Sequence, residues 1–354
     1  MRNPSSPIPI AISMGDPLGV GPEVILKALL SKEVAGKVIP IVVGVPSIMR
    51  KAARLVGGRA SIRLLSGGKV HEASDAGVVY VLVPRNLLGT GELMRPIGPS
   101  RAGEFASRLA QRGAVASACV KEAAGLCIRG RASALVTAPL SKASLGAAGI
   151  GHSGHTEMLR DLCRCKDTLM MFARGKHRVS LVTTHIPIGK VRGGLTRRRV
   201  ERAIMLTSRG LELLFSIPAP RLAVLSLNPH KGEDGLLGRE EETVIAPAME
   251  VASRKGVSVS GPFAADSFFS RGEWKRFDAV VAMYHDQGLI AAKLIGGERV
   301  TNITLGLPFV RTSPGHGVAE NIAWKGIAEP QGMISAILLA AELARTVRLP
   351  LKWD

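Results

Sequence analysis

Short apolar runs rich in Val, Ile and Leu alternate along this chain with stretches of helical periodicity. That alternation is the signature of a parallel α/β architecture. Strands are expected at 8–14, 38–43, 77–83, 134–137, 168–173, 179–184, 222–227, 257–260 and 278–284. Helical patterns cover 22–30, 102–126 (interrupted at Gly113) and 331–346. The last is apolar on most faces, so it should be buried or docked on a partner. Arg197-Arg198-Arg199 and Arg202, following Thr196, read as the opening turns of a solvated helix.

Three of the strand-like runs lead into a histidine: 179–184 into His185, 222–229 into His230 and 279–284 into His285. In an open α/β sheet, side chains just past the carboxyl ends of parallel strands meet in one crevice, where such folds bind ligands. A single histidine there is usually a hydrogen-bonded structural residue. Three imidazoles from separate strands can instead form a three-nitrogen metal site with open positions, the arrangement of catalytic zinc. Ligand softness favours zinc, cobalt or nickel over magnesium.

Composition narrows the classes. At 354 residues with 46% hydrophobic and 21% charged residues, the chain can build a large core and suits two domains or one large α/β unit. The net charge of +19 fits an anionic small substrate held in a positive cleft. Nucleic acid is the competing partner. Aromatic residues make up only 4% of the chain, too few for base-stacking platforms, so no nucleic-acid partner is expected. Four cysteines are too few for a disulfide framework. No signal peptide or membrane span is expected, and the location expected is the cytoplasm.

Several motifs remain. Gly15 to Glu23, GDPLGVGPE, joins a strand to a helix as a tight turn that can also approach a ligand. Gly149 to Gly154 matches G-x-G-x-x-G, but no strand precedes it, so it is not a dinucleotide fingerprint. The next segment, GHTEM, opens a helix that Thr156 or Ser153 would cap, with His155 at its positive end. Asp266 and Asp286 lie beside the candidate metal histidines, where a carboxylate can orient an imidazole. Lys293, Asn302 and Arg311 are polar points in apolar surroundings, and the two cations suit a phosphate or carboxylate.

Together the stretches ISMGDPLGVGPE, VTAPLSK, SGHTEM, VTTHIP, LNPHKGEDGLLGREE, GPFAAD and AMYHDQGLIAAK resemble the 4-hydroxythreonine-4-phosphate dehydrogenase family over nearly the whole chain. The resemblance implies two α/β/α domains of the isopropylmalate-dehydrogenase type with an active-site cleft between them. The first would span 1–130 with 300–354 and serve the cofactor; the second would span 131–299 and serve metal, substrate and dimerisation. It also implies a homodimer whose active site is shared across the interface. The metal ligands carry over to His185, His230 and His285, the last supplied by the neighbouring subunit. Substrate contacts carry over to His155, Thr156, Lys293, Asn302 and Arg311. Lys293 and His155 take the catalytic assignment, Lys293 for proton transfer or charge stabilisation and His155, with Arg311, for anion binding.

The implied reaction is metal-dependent, NAD- or NADP-linked oxidation of 4-phosphooxy-L-threonine to 3-amino-2-oxopropyl phosphate, with decarboxylation of the 3-keto acid. The metal would be zinc, cobalt or magnesium. Paralogues that oxidise D-erythronate or D-threonate 4-phosphate, or a carboxylated aromatic dihydrodiol, are the alternative. The chain departs from the family after Arg311, where Gly315 and Asn321 replace acids and Trp324 replaces a glycine. His316 and Asn321 are the cofactor contacts expected in that loop. Losing an acid near a ribose opens the choice between NAD and NADP. Outside this family, a metal-dependent aldolase or decarboxylase using the same histidines is the competing enzyme class.

Overall fold

The computed structural model describes residues 6–58, 60–65, 77–87, 102–152 and 154–353. Among them twelve strands form: β1 Ile8–Ser13, β2 Val38–Val43, β3 Ser61–Leu64, β4 Val78–Leu82, β5 Ala134–Thr137 and β6 Leu169–Arg174, then β7 His177–Leu181, β8 Arg221–Leu225, β9 Ser258–Phe263, β10 Ala279–Ala282, β11 Thr301–Leu305 and β12 Val310–Pro314. The chain divides into two compact units, Met1–Cys165 with Leu307–Pro350, and Lys166–Gly306 with Leu351–Asp354. The first boundary expected from sequence, after residue 130, therefore falls at 165. The reason is pairing: β5 hydrogen-bonds between β1 and β12, so the segment after 130 is an inner part of the first sheet. Residues 300–306 belong to the second unit because β11 pairs with β6.

The first unit holds strands in the order β3-β4-β2-β1-β5-β12, every pair parallel. All residues of β5 and β12 are buried, so both faces of the sheet are covered, as parallel sheets require. The helix Gln331–Thr346 buries Met333, Ile334, Ile337 and Leu343 and packs on β12 and β5. Its expected burial is thus met inside this unit. The helix Ala102–Ile128 runs unbroken through Gly113, where a Cβ would sit 1.9 Å from the carbonyl oxygen of Ser144. That glycine is a close-packing point rather than a break.

The second unit orders its strands β11-β6-β7-β10-β8-β9. β7, β10, β8 and β9 are parallel, but β6 is antiparallel to both neighbours. The all-parallel expectation fails here for a simple reason. Only Gly175 and Lys176 separate β6 from β7, and a link that short joins antiparallel strands only. The core of this unit gathers Phe172, Val179, Leu181, Leu225, Phe268, Val280 and Leu289. Thr196 caps the helix Arg197–Phe215, its hydroxyl accepting from the Arg199 amide at 3.3 Å, as the sequence predicts.

Of the two readings of GDPLGVGPE, the packing supports the tight turn. Gly15 adopts φ +75, and a Cβ there would lie 2.4 Å from the Pro139 carbonyl oxygen. Next to it Asp16 is fully buried, with Arg112 donating through Nε and Nη2 at 3.0 Å each and the Leu18 amide at 2.9 Å. Gly15→Ala is expected to cost about 1–3 kcal/mol of stability, from strained φ and overlap with backbone. Denaturant unfolding measures it; a loss below a few tenths of a kcal/mol would contradict this packing.

Candidate active site

Within the second unit, the strands leading to the three histidines are neighbours, in the order β7-β10-β8, and all run parallel. Hydrogen bonds continue past the strand ends. Thr183 donates to the Met283 carbonyl from its amide (3.1 Å) and its hydroxyl (2.8 Å). Gln287 accepts from the Met283 amide at 2.7 Å and donates to the Ser226 carbonyl at 2.6 Å. These bonds fix the departure of three loops from one edge of the sheet.

The result is partial convergence. The rings of His185 and His285 lie 5.7 Å apart between centroids, tilted by 43°. The Nδ1 of His285 is hydrogen-bonded to Asp286 Oδ1 at 2.6 Å, leaving Nε2 for a ligand. This is the orienting carboxylate expected from the YHDQG motif. His230 lines a cleft of about 510 Å³ with Asn228, Asp266, Tyr284, Asp286 and Leu294. Among the described residues, no three His, Cys, Asp or Glu side chains stand close enough to hold a metal. Three imidazoles are a donor set that would suit a divalent cation, and one chain does not bring all three together.

The first unit contains a buried polar site of opposite character. Arg311, on β12, is 1% exposed and donates from Nη2 to Thr137 Oγ1 at the end of β5 (2.6 Å). Burial lowers its pKa to about 9 against the opposing pull of Glu157, so the guanidinium remains charged near neutrality. His155 begins the helix His155–Leu162. Burial, reinforced by the Arg311 charge, pushes its pKa well below the usual histidine range, while a bond to the Ala138 backbone acts the other way. Its Nε2 is buried and finds no hydrogen-bond partner among the described residues. A neutral ring that donates from Nδ1 presents an Nε2 lone pair, so His155 can accept a hydrogen bond while Arg311 carries the positive charge. The expected cap is corrected: Gly154 occupies the cap position without a side-chain bond, and Thr156 lies inside the first turn. Ser153 lies outside the described residues.

The remaining expected residues are dispersed. Lys293 is exposed on the helix His285–Gly296 and does not line the histidine cleft. Asn302 pairs with Phe172 across β11 and β6, and its buried Oδ1 accepts no hydrogen bond from the described residues. His316 and Asn321 are both exposed; the His316 ring contacts the Gly317 carbonyl at 3.0 Å. Beside Asn321, Glu320 pairs with Arg112, which ties that loop to buried Asp16. Trp324 adopts φ +63, consistent with a position that favours glycine, and Lys51 lies 4.6 Å above its ring. Sequence reading assigned no role to Asp16, Thr137, Gln287, Glu240 or Glu241. Their only signal was a place inside motifs that had been noticed for other residues.

The fold and these sites define an α/β protein with a histidine beyond the carboxyl end of each of three adjacent parallel strands, one of them, His230, lining a cleft. The family model described as "Pyridoxal phosphate biosynthetic protein PdxA" matches residues 37–340. A 4-hydroxythreonine-4-phosphate dehydrogenase of Desulforapulum autotrophicum is 40% identical over 336 residues, covering 94% of each chain. A D-threonate 4-phosphate dehydrogenase of Salmonella typhimurium is 39% identical, covering 95% of this chain and 98% of the relative. A crystal structure of 4-hydroxythreonine-4-phosphate dehydrogenase from Klebsiella pneumoniae is similar with a TM-score of 0.81 and 38% identity, covering 95% of this chain and 99% of that one. The chain belongs to the PdxA family. No helix among the described residues is long and apolar enough to cross a membrane.

The buried neutral His155 makes stability depend on pH in a definite direction. Its folded pKa lies below the unfolded value of about 6.5, so the unfolded state binds the extra proton first. Stability is therefore complete above that value and declines as pH falls through it. His177, lowered by burial and by Arg178 and Lys275, acts in the same direction. Melting curves between pH 7.5 and 5.5 should show a falling midpoint, and His155→Gln should flatten the slope. An unchanged slope in that variant contradicts the assignment.

Proposed function

We propose that this chain is a divalent-metal-dependent, NAD(P)-linked dehydrogenase that oxidises 4-phosphooxy-L-threonine, with decarboxylation, to 3-amino-2-oxopropyl phosphate. The observation that carries this reading is the adjacency of three histidine-bearing parallel strands, with the His185 and His285 rings 5.7 Å apart. A bound cation would act as a Lewis acid on the substrate hydroxyl, and NAD(P) would accept the hydride. His185, His230 and His285 would hold that cation, and Asp286 orients the His285 ring. Arg311 binds the anionic group of the substrate, with Thr137 fixing its guanidinium. His155 accepts a hydrogen bond from a protonated substrate group through Nε2, and Thr156 adds a hydroxyl at the same helix start. Asn302 offers a buried carbonyl oxygen and Lys293 transfers the proton.

D-Threonate 4-phosphate is the second reading, supported by relatives of the two names at 40% and 39% identity. The two substrates share the phosphate and the oxidised alcohol and differ in an ammonium against a hydroxyl, either of which His155 Nε2 accepts. His316 and Asn321 remain the proposed cofactor contacts.

A homodimer is part of this proposal, because the single chain leaves the histidine cleft bordered by exposed apolar side chains. Ile290 is 62% exposed and Leu294 82%, and both line the cleft that holds His230. Exposed apolar groups on this scale mark an interaction surface, and a second copy would cover them. Leu294→Glu is expected to shift the protein toward monomer in light scattering; an unchanged mass would remove this face from the interface.

The function is tested with purified protein, zinc, cobalt or magnesium, and NAD or NADP, against 4-phosphooxy-L-threonine, D-threonate 4-phosphate and D-erythronate 4-phosphate. Metal-dependent appearance of reduced nicotinamide with one of them is expected, and His230→Ala should lower turnover by about a hundredfold or more. Product formed without reduced nicotinamide would favour the lyase, and full activity in His230→Ala would contradict the metal role.

A further inference from the structure

The loop that carries His230 has an unusual backbone. From His230 to Gly235 six successive residues have positive φ, at 50, 60, 84, 45, 53 and 95°. Four of them, His230, Lys231, Glu233 and Asp234, are not glycine, and L residues disfavour a left-handed turn because Cβ approaches the next carbonyl. A neighbouring structure must therefore impose this conformation.

Two adjacent carboxylates do so. Glu241, 5% exposed, accepts through Oε1 from the backbone amides of Leu227 and Asn228, both at 2.8 Å. Its Oε2 accepts from Asn228 Nδ2 at 2.9 Å. Glu240 accepts from the same Nδ2 at 2.8 Å and pairs with Arg192. The returning chain closes on this clamp: at Gly238 a Cβ would fall 2.5 Å from Asn228 Nδ2, and the Leu237 amide donates to the Gly232 carbonyl at 2.9 Å. Neither carboxylate lines the cleft where His230 stands.

We propose that Glu241 is a positioning residue for His230: by gripping the backbone at Leu227 and Asn228 it holds the left-handed turn that presents the imidazole. This rests on the reading of His230 as a metal ligand. Every partner of Glu241 is a donor, so a carboxylate is required; an amide at this position would set a donor against Asn228 Nδ2. The clamp acts only through the loop, which separates its effect from that of a ligand.

The test uses the full-length protein titrated with Co²⁺ alone by calorimetry. Glu241→Gln is expected to weaken Co²⁺ binding by about 10–100-fold, with a lower melting midpoint from the buried unpaired donor but a fully folded protein at the titration temperature. Glu242→Gln, an exposed neighbour paired with Arg239, is expected to bind as the parent does. Parent-like Co²⁺ binding in Glu241→Gln, alongside loss of binding in His230→Ala, overturns the clamp and leaves the metal reading standing. Parent-like binding in His230→Ala instead overturns the metal reading. The clamp is then decided by the His230 ring resonances in nitrogen-15 spectra, which move in Glu241→Gln if it holds the turn and stay fixed if it does not. Should Glu241→Gln fail to fold, Asn228→Ala, which keeps both backbone amides, must show the same two changes in weaker form.

Discussion

Parallel pairing of β10 with β7 on one side and β8 on the other is the constraint on which this candidate site depends. Each of these strands is short, β8 and β10 are mostly Val, Leu and Ala while β7 contributes Val179 and Leu181, and each is followed within a few residues by one imidazole. Because neighbouring strands lie about 4.8 Å apart, loops that leave adjacent parallel strands at the same edge start within reach of one another. Thr183 and Gln287 then extend the hydrogen bonding beyond the sheet and tie the three departures together. An antiparallel middle strand would send His285 to the opposite edge.

The two units place their polar groups in opposite electrical surroundings. The second leaves His185 and His230 exposed. The first buries Arg311 and His155 together, and burial with a neighbouring positive charge forces the imidazole to be neutral. One arrangement favours a cation and the other an anion with a hydrogen-bond donor beside it.

Much of this was legible in the chain because the strands are apolar runs closed by chemically distinctive residues. His185, His230 and His285 could be picked out by their position after such runs, and His285 with Asp286 by adjacency alone. What was not legible depends on partners distant in sequence. Glu241 is meaningful only once Asn228, thirteen positions earlier, folds back onto it. The carboxylate of Asp16 looked like turn composition until Arg112 arrived from the long helix. The β6–β7 reversal was missed because Gly175-Lys176 is short and carries only one turn-forming residue, and β11 because its alternating TNITL pattern sits among polar and glycine-rich neighbours. Thr156 failed as a cap because Gly154 took the position, its φ of 170° being extended backbone with no side chain to offer a bond.

The most direct test of the central claim is diffraction at the zinc absorption edge from crystals grown with zinc. The account predicts one strong anomalous peak bonded to nitrogens of His185, His230 and His285, drawn from one chain or from two related by a two-fold axis. An anomalous map with zinc bound elsewhere, and none at these three rings, would contradict it.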